Sequence, residues 1–105
     1  MRFRPLEKLI NLQDGYRRSF RIDELALLLV KQDGEVYLFE ARCPHREHAL
    51  DAATIRDGVL ECPLHRYRFR LADGALVQAS EESCRGLKTW PLIYEGNEVG
   101  LLLPD

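Results

Sequence analysis

The sequence predicts an all-β fold, a small antiparallel sandwich or barrel. Turn signals recur at short intervals, and the stretches between them are short and rich in Val, Leu, Ile, Tyr and Phe, which is typical of strands joined by hairpins. The turn signals are Asp14-Gly15, Asp33-Gly34, Asp57-Gly58, Asp73-Gly74 and Glu95-Gly96-Asn97. Only residues 6–13 and 21–27 could compete as helix, and neither stretch keeps helical periodicity for long.

The strands can be assigned in order from these signals. Residues 25–31 and 35–41 form a first predicted hairpin across Gln32-Asp33-Gly34. Three shorter strands are predicted at 58–61, 67–71 and 75–78, the last two joined through Ala72-Asp73-Gly74. Residues 87–94 and 99–103 form a closing hairpin around residues 95–98. This assignment leaves residues 1–24 without a predicted strand.

Length and charge limit the classes of function. The 105 residues, 46% hydrophobic and 30% charged, are enough for one compact domain and too few for two. A formal charge of −2 provides no overall field that would hold a nucleic acid or an anionic membrane. The longest apolar runs, 25–30 and 101–104, are far shorter than the roughly 20 residues of a membrane helix. We therefore expect one soluble, monomeric domain, residues 1–105, that binds neither nucleic acid nor a membrane.

The cysteine content and the N-terminal region favour a cytoplasmic location. Three cysteines are too few for a disulfide scaffold, so reduced thiols or metal ligation are the better interpretations. The stretch Arg17-Arg18-Ser19-Phe20 resembles the start of a twin-arginine signal. Asp23 and Glu24 interrupt the approach to the apolar run, however, and no small-residue cleavage site follows it.

Two short motifs carry the chemistry of the sequence. Cys43-Pro44-His45 and Cys62-Pro63-Leu64-His65 are separated by 16 residues, and each lies where a predicted strand ends in a loop. Two loops can thus bring two thiols and two imidazoles together, and close ligands on one loop cost little closure entropy. The predicted metal ligands are Cys43, His45, Cys62 and His65. A tetrahedral zinc ion in a structural module is an open alternative, although the Cys-x-His half is unusual among zinc sites.

The two motifs resemble the Rieske iron-sulfur signature in ligand identity, order and intervening length, and residues 25–103 are similar to a small Rieske-type ferredoxin. The resemblance implies a two-loop cluster-binding subdomain at about residues 42–70 that holds one 2Fe-2S cluster. It further implies that Cys43 and Cys62 hold the buried iron and that His45 and His65 hold the outer iron. An added electron would then settle on the histidine side, which is nearest to solvent.

The resemblance also implies a function. A protein of this kind is a one-electron carrier and not an enzyme, taking electrons from a flavoprotein reductase and passing them to a terminal oxygenase or reductase. Rieske oxygenases add a mononuclear iron on two histidines and a carboxylate, and no histidine follows His65 here. The ferredoxin component of an aromatic-ring oxygenase system is the first expectation. The small Rieske subunit of an assimilatory nitrite reductase is an alternative, and a zinc-binding interaction module is a less favoured one.

The chain departs from this family beside both motifs. Arg66 stands where the family usually has glycine, and Tyr67 and Phe69 replace the hydroxyl donors of high-potential relatives. The loop expected to cover the cluster carries Glu81 and Glu82 and no proline. Fewer hydrogen bonds to the reduced form predict a potential toward the lower end of the range of about −150 to +300 mV for this cluster type.

Several other residues carry weaker predictions. Cys84, the third cysteine, is expected to be a buried structural thiol, and His48 is expected at the surface and not as a ligand. Trp90 is expected to pack at the core or its edge. A group of arginines on one strand face or near the first loop is either a solvated edge or a surface that steers an acidic partner. These arginines are Arg42, Arg46, Arg66, Arg68 and Arg70.

Overall fold

The computed structural model describes all 105 residues and contains ten β-strands, one short 3₁₀ turn and no α-helix. The strands are β1 (Arg2–Lys8), β2 (Arg17–Ile22), β3 (Leu25–Gln32), β4 (Glu35–Glu40), β5 (Thr54–Arg56), β6 (Val59–Glu61), β7 (Arg68–Arg70), β8 (Leu76–Gln78), β9 (Ile93–Glu95) and β10 (Glu98–Leu103). They form three antiparallel sheets, ordered β1-β10-β9, β2-β3-β4 and β5-β6-β7-β8. The all-β prediction is confirmed. No helical segment has the length and apolar character needed to cross a membrane.

The β2-β3-β4 sheet contributes to two separate apolar cores. Leu27 and Leu29 of β3 pack with β10, whereas Leu28 and Val30 of the same strand pack with the β5-β6-β7-β8 sheet. Successive side chains of a strand point to opposite faces, so an uninterrupted apolar run can supply both cores. The apolar run at residues 25–30, which is too short to cross a membrane, is therefore part of a strand that is covered on both faces.

Two of the predicted turns have the backbone that their sequences favour. Asp33-Gly34 connects β3 to β4, with φ of 52° and 81°, and Gln32 pairs directly with Glu35. Asp57-Gly58 connects β5 to β6 in the same way, with φ of 52° and 74°. Two consecutive positive φ values match the twist of antiparallel strands, and Asp-Gly tolerates them well. The hairpin interpretation of these signals is confirmed.

Three strands were not predicted, two of them in the N-terminal third of the chain and one, β5, in its middle. β1 and β2 form from charge-rich residues with few apolar positions, and β5 has a single buried apolar side chain, Ile55. Of the two possible helical stretches, residues 6–13 contain only the 3₁₀ turn Leu9–Asn11, and residues 21–27 contain a β2–β3 hairpin.

The predicted strand at 87–94 is too long. β9 begins only at Ile93, while the residues before it run beside β4, where Thr89 bridges to Phe39 and the Trp90 N–H donates to the Leu38 carbonyl at 3.0 Å. Pro91 has no N–H and cannot extend this ladder. Trp90 itself is half-buried against the core beneath β10, as predicted.

Gly100 allows β10 to approach β1 closely. A Cβ at this position would lie 2.0 Å from the Arg4 carbonyl oxygen and 2.9 Å from Pro5 Cα. Both neighbours are backbone atoms of a paired strand, so a side chain must push the strands apart.

We predict that Gly100→Ala lowers the free energy of unfolding by about 2 to 3 kcal/mol, because the added methyl group overpacks the strand pair. Gly96→Ala is the control, since a Cβ there meets no atom within 4 Å and only the φ of +60° is unfavourable. It should cost about 1 kcal/mol. Denaturant unfolding of both variants measures the difference, and equal losses would contradict the steric explanation.

Candidate metal centre

Two loops hold the four predicted ligands, and each is closed by a hydrogen bond at its cysteine. The first loop follows β4, and the Cys43 N–H donates to the His48 carbonyl at 2.7 Å. The second connects β6 to β7, and the Cys62 N–H donates to the Tyr67 carbonyl at 2.8 Å. Each bond spans five residues, so each Cys-to-His segment is a compact turn and not an extended connection.

The second loop turns through two residues in the left-handed region. His65 has φ of 63° and Arg66 has φ of 55°. A Cβ is unfavourable in this region, so Arg66 occupies a backbone position that glycine would adopt more easily. The turn is held from the covering loop by Ser80, whose hydroxyl donates to the His65 carbonyl.

The two thiols lie inside the protein. Cys43 and Cys62 are fully buried in the core between β3, β4 and the β5-β6-β7-β8 sheet, and neither is in a disulfide. Burial raises the pKa of the Cys62 thiol, the Leu64 backbone opposes the rise, and the adjacent Cys43 thiol adds to it. Because thiolates and not thiols bind metal, a cation bound at these sulfurs would have to stabilise their charge.

The two imidazoles lie closer to the surface than the thiols. The side chain of His45 is 6% exposed and that of His65 is 39% exposed, and His45 Nε2 lies 3.4 Å from His65 Nδ1. The His45 ring stacks on Tyr67, with centroids 3.9 Å apart and an interplanar angle of 14°. The Tyr67 hydroxyl in turn donates to the Glu82 carbonyl. Tyr67 therefore fixes the position of the His45 ring and does not itself offer a free donor.

The donor set fits a two-iron cluster better than a single ion. The ring nitrogens of His45 and His65 lie within 4.8 Å of each other and of a Glu81 oxygen, and neither thiol joins this group. One tetrahedral ion needs all four donors around one point, whereas a Rieske cluster takes two sulfurs on one iron and two nitrogens on the other. His45 Nδ1 is buried without a hydrogen-bond partner, which is unusual unless the atom serves as a ligand.

A carboxylate from the covering loop lies against both imidazoles. Glu81 Oε1 is 3.4 Å from His45 Nε2, 3.2 Å from His65 Nδ1 and 3.9 Å from Arg46 Nη2. A cavity of about 290 Å³ is lined by His45 and Tyr67 together with this loop. The sequence pointed to a negative covering loop but not to which of its two glutamates contacts the rings.

The other candidates near the site are placed as follows. Cys84 was expected to be a buried structural thiol, but it is only half-buried, at the edge of the same core. Burial raises the pKa of its thiol, and Cys43 adds to the rise. The His48 side chain is exposed, as predicted, and only its carbonyl contributes to the first loop.

The predicted arginine face forms only in part, because Arg68 and Arg70 are both exposed on the same face of β7 but are paired with acidic residues. Arg68 Nε donates to Glu61 Oε1 at 2.8 Å, and Arg70 makes a two-point contact with Asp73 at 3.0 and 2.7 Å. Arg66 lies in the left-handed turn and not on β7. The strand arginines are therefore paired with an acid of the neighbouring strand, Glu61, and an acid of the β7–β8 turn, Asp73, which favours the solvated-edge interpretation over a surface that steers an acidic partner.

A further contact near the first loop was missed because it joins distant residues. Arg17 on β2 donates through Nη1 to the Asp51 carbonyl at 2.8 Å and to the Ala53 carbonyl at 2.6 Å. It ties the β2-β3-β4 sheet to the end of the loop that holds Cys43 and His45. Arg17 is 34 positions from Asp51 and 36 positions from Ala53 in the sequence, so no local pattern marks these contacts.

Known proteins resemble this chain in sequence and in fold. Residues 4–91 match the Rieske [2Fe-2S] domain family. The chain is 31% identical over 90 residues to the ferredoxin component of the alkene monooxygenase system of Xanthobacter autotrophicus, covering 85% of this chain and 71% of that protein. It is 26% identical over 91 residues to the ferredoxin component of naphthalene 1,2-dioxygenase from Pseudomonas aeruginosa, covering 87% and 86%. The solved ferredoxin of carbazole 1,9a-dioxygenase from Nocardioides aromaticivorans superimposes with a TM-score of 0.78 at 25% identity, covering 94% and 95%.

We predict that Arg66→Gly raises the free energy of unfolding by about 0.5 kcal/mol, because relief of left-handed strain exceeds the added freedom of the unfolded chain. The matched control is Arg68→Gly on β7, where the backbone is extended and glycine should cost about 1 kcal/mol. Denaturant midpoints of the two variants should move in opposite directions. A loss of stability in both would contradict the assignment of strain to residue 66.

Proposed function

Because the chain belongs to the Rieske [2Fe-2S] domain family, we propose that it is a one-electron carrier of a multi-protein oxygenase system. The family implies one Rieske-type 2Fe-2S cluster, which when bound takes up and releases a single electron. The observation that carries the proposal is the separation of the donors into two buried thiols and two outer imidazoles. That separation suits a cluster with one protected iron and one iron near the surface.

Each proposed ligand has a distinct part in this role. Cys43 and Cys62 would hold the inner iron as thiolates, and the apolar core around them keeps water from their sulfurs. His45 and His65 would hold the outer iron as neutral imidazoles, which donate less negative charge than thiolates do. The added electron would therefore be favoured on the histidine side, and the 39% exposure of the His65 side chain supports access of a partner to that side.

The proposed partners are a terminal oxygenase as electron acceptor and a flavoprotein reductase as donor. The two relatives described above are components of oxygenase systems, which favours an oxygenase over a nitrite reductase. The chain has no Gly-rich nucleotide-binding motif, so electrons from a nicotinamide cofactor need another protein. We place the protein in the cytoplasm, since its three cysteines are all free thiols.

Two pairs of variants test the ligand assignment. Cys62→Ser and His65→Ala should each lose most of the iron and acid-labile sulfide found in the wild type, because cluster affinity depends on every ligand. Cys84→Ser and His48→Ala are the matched controls and should retain both. Chemical analysis of freshly purified protein gives the answer, and full iron and sulfide in Cys62→Ser would refute the assignment.

A single-turnover experiment tests the carrier role. The protein is reduced with dithionite, freed of excess reductant, and mixed with either cytochrome c or oxygen plus naphthalene. We expect one electron per chain to reach cytochrome c, measured by its absorbance, and no oxygenated naphthalene in the second mixture. Product formed without a terminal oxygenase would show an enzyme in place of a carrier.

A further inference from the structure

Glu81 is the one carboxylate that contacts both outer imidazoles. Its Oε1 lies 3.2 Å from His65 Nδ1 and 3.4 Å from His45 Nε2, and these atoms form one group within 4.8 Å. The neighbouring Glu82 is exposed, and its contact with the site is through its backbone carbonyl. Two glutamates of the same loop therefore differ in whether their charge reaches the rings.

The loop that carries Glu81 is attached on both sides of it. Ser80 donates to the His65 carbonyl, and the Glu82 carbonyl accepts from the buried Tyr67 hydroxyl. These contacts limit the movement of the intervening residue. The backbone of Glu81 is thus anchored on both sides, within reach of the two rings.

We propose that the Glu81 carboxylate, which lies against both imidazoles, lowers the reduction potential of the bound cluster through its negative charge. This proposal rests on the ligand assignment proposed above. Uptake of one electron adds one negative charge on the histidine side, and no bond is made or broken. A carboxylate a few ångströms away opposes that charge by electrostatic repulsion. Arg46, whose Nη2 is 3.9 Å from Glu81 Oε1, offsets part of it.

The size of the effect follows from distance and exposure. At contact distances, two like charges near a protein surface repel each other strongly enough to shift an equilibrium several-fold. The Glu81 side chain is 46% exposed and the Arg46 side chain 63% exposed, so solvent screens much of this. We expect removal of the charge to favour the reduced form about three- to tenfold, a tenfold change being about 59 mV for a one-electron couple.

The test compares Glu81→Gln with Glu82→Gln, which remove the same charge from adjacent positions. Glutamine keeps the length and an acceptor oxygen, so only the charge changes. Redox titration monitored by electron paramagnetic resonance gives the ratio of reduced to oxidised protein at the wild-type midpoint. The ratio should rise about three- to tenfold in Glu81→Gln and less than about twofold in Glu82→Gln.

Arg46→Gln provides an independent measurement that leaves Glu81 in place. Loss of its positive charge should lower the same ratio, opposite in direction to Glu81→Gln. An unchanged ratio in Glu81→Gln, or equal shifts in both glutamate variants, would overturn the proposal. If Glu81→Gln does not retain its cluster, the test rests on Arg46→Gln. In that case an unchanged or higher ratio of reduced to oxidised protein in Arg46→Gln would overturn the proposal.

The iron and sulfide content of each sample separates this proposal from the one it rests on. Wild-type protein without iron and sulfide would refute the carrier function itself. Wild-type and Glu81→Gln proteins with equal iron and sulfide and equal potentials would refute only the role of Glu81.

Discussion

The boundary of one apolar core separates the two thiols from the two imidazoles, and the rest of the site depends on this separation. Cys43 and Cys62 lie inside the core that joins two sheets, while His45 and His65 lie at its edge. A buried thiol resists ionisation, so thiolates at this place need a bound cation, and binding of the cluster should stabilise the fold. The same boundary would make the two irons of the proposed cluster unequal, with one shielded by side chains and the other open to exchange.

The remaining structure supports this arrangement from both sides of the central sheet. β3 contributes alternate side chains to the core that surrounds the thiols and to the second core beneath β10. The β1-β10-β9 sheet therefore covers the face of β3 and β4 turned away from the site. Arg17 completes the link by donating to the backbone of the first loop. Local closure of each loop, central packing and one long-range contact together position the ligands.

Local features of the site and fold could be predicted from sequence, and long-range features could not. The two Cys and His motifs, the Asp-Gly hairpins and the unfavourable backbone at Arg66 each depend on neighbouring residues. The contacts of Glu81 and Arg17 join segments far apart in sequence, so no motif marks them. β5 was missed because three residues with one buried side chain give no detectable alternation. The ion pairs of Arg68 and Arg70 were not predicted, because their acidic partners become visible only with the sheet register and turn.

We propose that two thiolates and two imidazoles of this chain hold one cluster, with the added electron on the imidazole side. Pulsed electron paramagnetic resonance of the reduced protein, prepared with and without ¹⁵N-labelled histidine, tests it most directly. We predict strong couplings to two histidine nitrogens that change with the label and are unaffected by His48→Ala. A reduced protein with one coupled histidine nitrogen, or with none, would contradict the account.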